Sequence, residues 1–149
     1  MNPTTVGTPP RRAVLRPARL IPLLPWLVAL AAPAAPRPLS PETQQVLVTA
    51  VEAAAALDFY DAHCRSDGSG RHSDNLNKQL VGKLRLTIMS VQDDLFPEHS
   101  FRAVQRRLQE QFTQDLRQAG GCTGAKDAGV PDQLNERYRA AGAAIEALP

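Results

Sequence analysis

The chain has 149 residues, 17 basic against 15 acidic, with 5% aromatic residues and two cysteines. That length suits one small domain with one core. The four arginines among residues 1–34, where no acid occurs, account for the net charge of +2; the remainder carries 13 bases against 15 acids and has no electrostatic case for nucleic acid.

Residues Met1 to Arg19 carry Arg11, Arg12, Arg16 and Arg19. An uncharged stretch of 17 residues follows, LIPLLPWLVALAAPAAP, from Leu20 to Pro36. A basic start, a short apolar run and a small-residue exit at Ala29-Leu30-Ala31 or Ala32-Pro33-Ala34 predict a secretory signal peptide over residues 1–34. Pro22, Pro25, Pro33 and Pro36 argue against a transmembrane anchor, and no cysteine follows the run for lipid attachment. PRRAVLR, Pro10 to Arg16, resembles the twin-arginine export motif. Pro10 replaces the usual serine or threonine, and Val14 stands where phenylalanine is common. An ordinary basic leader is the preferred reading; the motif, if used, implies export in a folded state, as an accessory subunit co-exported with a larger enzyme.

Residues 35–40 form a short proline-rich lead, and residues 41–149 are expected to make a single helical domain. Ser40 is placed to cap a first helix, with Pro41 at its first position and Glu42 at the positive dipole end. Val46, Ala50, Ala53, Leu57, Tyr60 and Cys64 repeat along one face. Leu47, Val48 and Val51 lie off that stripe, so this helix has apolar surface to spare and is the expected contact with another protein or with a second copy, as a homodimer. LSPETQQ resembles the LTxxQ segments of small helical periplasmic stress chaperones over seven residues, with the glutamine displaced by one and no second copy of the segment.

A second helix is expected after Ser73 or Asp74, with Leu76, Leu80, Leu84, Ile88, Val91 and Leu95 inward, stopped by Phe96-Pro97. A third runs from Pro97 to about Ala119 on Phe101, Val104, Leu108, Phe112 and Leu116, and Gly120-Gly121 ends it. CTGAKDAG reads as a loop before a fourth helix that starts at Pro131 and carries Leu134, Tyr138, Ala141, Ile145 and Leu148. Four helices joined by short turns predict an all-α, up-down-up-down four-helix bundle. That topology brings the ends of the first and third helices to one pole, where Cys64 and Cys122 pair as a disulfide. Closing 58 residues stabilises such a chain by about 4 kcal/mol in the chain-entropy model.

The stretch FYDAHCRSDGSGRHSDN, Phe59 to Asn75, concentrates polar chemistry. As an EF-hand loop it fails, because Arg65 and Leu76 fall where the ion needs carboxylates. Ser66 or Ser69 with His72 and Asp74 supplies the ingredients of a triad but sits on a glycine turn with no preorganised base. There is no C-x-x-C-H for a haem, and no cofactor is expected. A turn between helices accounts for the residues. The alternative is a periplasmic metal-handling protein holding zinc or copper on His63, His72, Asp67 and Asp74. The functional expectation is an exported, non-enzymatic protein, periplasmic or secreted, acting by protein–protein interaction, with no membrane anchor once the signal is cleaved.

Overall fold

A computed structural model of the chain describes residues 38–149. The expected signal peptide, its exits and PRRAVLR lie outside the described residues. Within them the protein is all-α: six helices, no strand and one disulfide.

Helix α1, Pro41–Cys64, starts as its sequence dictates. Ser40 is extended, its hydroxyl accepts from the Thr43 N–H at 3.2 Å, and Pro41 occupies the first turn. Its 24 residues span about 36 Å. The all-round apolar character has a simple cause: α1 is the hub on which α2, α3, α4 and α6 pack. Leu47, Ala50, Val51, Ala53, Ala54 and Leu57 are all buried, on more than one face.

The expected second helix is two helices, α2 (Arg71–Leu84) and α3 (Ile88–Leu95). Arg85 turns left-handed at φ 59°, donating its N–H to the Val81 carbonyl, and Thr87 restarts the chain. The Thr87 hydroxyl accepts from the Ser90 N–H at 3.0 Å, while the Ser90 hydroxyl accepts from the Thr87 N–H at 2.9 Å, a reciprocal capping box. Helix α2 also begins earlier than Ser73, after Gly70 in the left-handed conformation at φ 64°. Phe96-Pro97 does stop α3, and α4 (Phe101–Gln118) follows a turn through residues 97–100.

Gly120, at φ 84°, ends α4 as expected. CTGAKDAG, however, is largely helical: Gly121–Asp127 forms a short helix, α5, stacked across the end of α4. Gly124 makes this approach possible, since a Cβ there would stand 1.9 Å from the Ala119 carbonyl oxygen. Helix α6, Val130–Ala147, closes the domain with Leu134, Ala141 and Ile145 inward. The break at Arg85 and the added α5 thus replace the simple four-helix bundle with six helices, four of them packed on α1.

The disulfide between Cys64 and Cys122 is present, with the Cα atoms 5.4 Å apart. It ties the C-terminal end of α1 to α5. Beside it a small core of Leu57, Tyr60, Phe112, Ala125 and Leu134 joins α1, α4, α5 and α6. A larger core, with Leu47, Leu76, Leu80, Val91, Phe96 and Val104 at its centre, fills the rest.

Aspartate and asparagine latches join successive helices. Asp58 of α1 accepts from the His72 N–H at 2.9 Å and the Ser73 N–H at 2.8 Å, capping α2, whose own cap residue Gly70 has no side chain. Asn77 of α2 accepts from the Ile88 N–H at 2.9 Å at the start of α3. Asp93 of α3 accepts from the Phe101 N–H at 2.6 Å, capping α4, where Ser100 makes no side-chain cap. Each latch satisfies orphan donors of one helix from the body of the previous one, which fixes the angle between them.

Candidate functional site

The α1–α2 turn gathers its charges around one carboxylate. Asp61 is buried, 3% exposed, and its two oxygens meet Arg65 Nη1 and His72 Nε2, each at 3.0 Å. Arg71 Nη2 lies 3.7 Å from Asp61 and 3.3 Å from Asp67. Hydrogen bonds from Ser69, chiefly its hydroxyl, hold the Asp67 carboxyl below the usual carboxylate range. The His72 ring stands edge-on to Tyr138 with centroids 5.1 Å apart, and the Tyr138 hydroxyl donates to the His72 carbonyl at 3.2 Å. Burial pushes the Tyr138 hydroxyl up, with the nearby Asp58 charge adding to it. Asp61 therefore faces cations on both oxygens and binds the turn to α1 and α6. It is a structural clasp.

The four residues of the metal alternative, His63, His72, Asp67 and Asp74, are not brought together. His63 Nδ1 donates to its own Phe59 carbonyl at 2.9 Å and its ring faces Phe112 at 5.8 Å, toward α4. His72 turns instead toward Asp61 and Tyr138, Asp67 is bound to Ser69 and Arg71, and Asp74 stays exposed on the first turn of α2. Neighbouring positions in sequence thus aim at different helices. No group of three or more His, Cys, Asp or Glu side chains able to hold an ion occurs among the described residues. The Ser66, Ser69, His72 and Asp74 ingredients are likewise not assembled, because the His72 ring is committed to Asp61.

The residues of the expected partner face lie in the core or against it. Leu47 and Val51 are 0% and 1% exposed, consumed by the domain's own core, and Val48 packs partly buried against it. What α1 leaves open is a different strip, Val46, Thr49, Glu52, Ala56 and Phe59. Over Glu52, Ala56 and Phe59, α4 and α6 flank α1 and meet mainly through α5, so α1 forms the floor of a groove between them, while Val46 and Thr49 border α6.

At the disulfide end the groove opens into a cleft of about 290 Å³ over Phe59, Phe112, Leu116, Val130 and Leu134. The Phe59 and Phe112 rings tilt against each other at 5.9 Å. A second, more open cleft of about 310 Å³ lies between the N-terminal half of α1 and α6, lined by Val46, Thr49, Ala140, Ala141 and Ala144, and meets the first at Arg137. Arg137 lines both clefts, and Glu52 on the α1 floor and Asp115 on the α4 wall line the first. These three charged side chains take part in no ion pair among the described residues. The apolar periodicity places Val46, Phe112, Leu116, Leu134 and Ala141 inward, but no sequence pattern marks Thr49, Glu52, Ala56, Ala140 and Ala144 as neighbours in a groove.

The polar face of α4 is solvated, with Arg106, Gln109, Glu110, Thr113 and Arg117 open to water or nearly so. Arg107 instead reaches back to Glu98 in an ion pair, and that bond holds the Glu98 carboxyl below its ordinary value. Among the described residues no helix is long and apolar enough to cross a membrane. Comparison with protein-family models, curated proteins and solved structures finds no match to this chain.

Proposed function

We propose that this is an exported, non-enzymatic helical protein that acts by binding another protein in the groove along α1. The observation that carries the reading is an apolar groove lined also by Glu52, Asp115 and Arg137, which have no ion-pair partners among the described residues. Binding sites are concave and mostly apolar, with a few polar groups that fix orientation. The clustered charges of the α1–α2 turn, by contrast, are spent on one another. The Cys64–Cys122 disulfide is consistent with an oxidising compartment and supports export by residues 1–34 to the periplasm or the medium.

The test is site-specific photo-crosslinking in the exporting cell. A benzophenone side chain at Thr49 or Gln133, exposed positions that line the two clefts, should form an adduct with one discrete protein. The same group at Lys78, exposed on α2, should not. Adducts of equal yield from all three positions, or none from the groove, would remove the reading.

A further inference from the structure

Resting on that reading, we infer that the groove takes an amphipathic α-helix of another protein, about four turns long, carrying a lysine or arginine over Glu52 and Asp115. The floor strip recurs with helical spacing from Val46 to Phe59, a rise of about 20 Å. Small side chains at Thr49, Ala56, Ala140 and Ala144 leave room for a second helix to lie close to α1.

An extended segment is a poor occupant. There is no strand among the described residues to supply a hydrogen-bonding edge, so its backbone N–H and C=O groups would lie unpaired on apolar side chains. A helix satisfies its own backbone and brings only side chains.

The charges select the partner further. Glu52 is half-buried on the groove floor and Asp115 stands on the α4 wall, neither with a cation within ion-pair distance among the described residues. An apolar cover alone would strip water from Glu52 with no compensation, whereas a covering base pairs with it. A second copy of this chain does not fit. Its large exposed apolar side chains among the described residues are Val81 and Met89, on α2 and α3 respectively, so none of the six described helices of a copy presents a continuous apolar stripe.

The experiment titrates the oxidised, exported protein with synthetic 18-residue peptides, followed by fluorescence anisotropy. One peptide is an amphipathic Leu/Ala-faced helix with a central lysine, the second has glutamate in that place, and the third has two central prolines. The lysine helix should bind about tenfold more tightly than the glutamate helix, and the proline peptide should not bind. Glu52→Lys should reverse the preference; Asp115→Lys, on an exposed position, makes the same test if the first variant does not fold. Equal binding of the three peptides, no binding of the lysine helix, or indifference to both charge swaps overturns the inference. Groove-specific crosslinks with no helix or charge preference would leave the protein-binding reading standing and remove only this one. Loss of groove-specific crosslinks removes that reading itself.

Discussion

Replacing Asp58 by alanine tests whether α2 is held in place by the body of α1. Gly70 at the start of α2 has no side chain to offer, and both oxygens of Asp58 are engaged, at 2.9 and 2.8 Å, by the N–H groups of His72 and Ser73. A lost cap alone costs about 0.5 to 2 kcal/mol, and hydrogen bonds to a charged group lie at the upper end of the hydrogen-bond range. Both bonds are part-buried, so water replaces them only partly, and the expected loss is about 2 kcal/mol. In urea, with a slope of about 2 kcal/mol per molar, the midpoint should fall by about 1 M with the slope unchanged. Asp58→Asn keeps one acceptor and should lose about half as much. Far-UV circular dichroism of the oxidised protein is the assay. An Asp58→Ala midpoint within about 0.2 M of the parent would refute the latch.

Three further substitutions probe other features. Gly124→Ala would stabilise an ordinary helix by about 1 kcal/mol. Here the new Cβ meets the Ala119 carbonyl at 1.9 Å, so a loss above about 2 kcal/mol is expected in the same urea assay, and a gain would refute the stacking of α5 on α4. Gln92 is 0% exposed on α3 and its amide has no hydrogen-bond partner at either end among the described residues. Gln92→Met, of similar volume, should therefore raise stability by about 1 kcal/mol; a loss of that size would mean the amide is paired. Finally, Arg107 lowers the Glu98 carboxyl from 4.5, so the stability linked to Glu98 is present above pH 4.5 and is lost as pH falls through the lower folded value. Glu98→Gln should flatten the acid limb of the stability curve measured between about pH 6 and about pH 3; an unchanged limb would show that the ion pair contributes nothing.

What could be read from the chain alone was local or fixed by chain order. Ser40-Pro41-Glu42 starts α1, Phe96-Pro97 stops α3 and Gly120 stops α4, because caps, proline and left-handed glycine act within a few residues. The pairing of Cys64 with Cys122 followed from a count of two in a helical chain. The break at residues 85–87 escaped because three residues replace nearly one helical turn, so the apolar line from Leu76 to Leu95 keeps its phase across it. Helix α5 escaped because a glycine-rich segment of seven residues becomes helical only when α4 and α6 pack against it.

The candidate surfaces were decided by tertiary packing. Whether Leu47 and Val51 were spare or core depended on how many helices surround α1, and four of them do. Whether His63 and His72 converge depended on which neighbour each faces, and they face Phe112 and Tyr138 on different helices. The groove exists because α4 and α6 flank α1 without closing over Glu52, Ala56 and Phe59. Periodicity reports which side of a helix is apolar; only the positions of the other helices determine how much of that side stays uncovered.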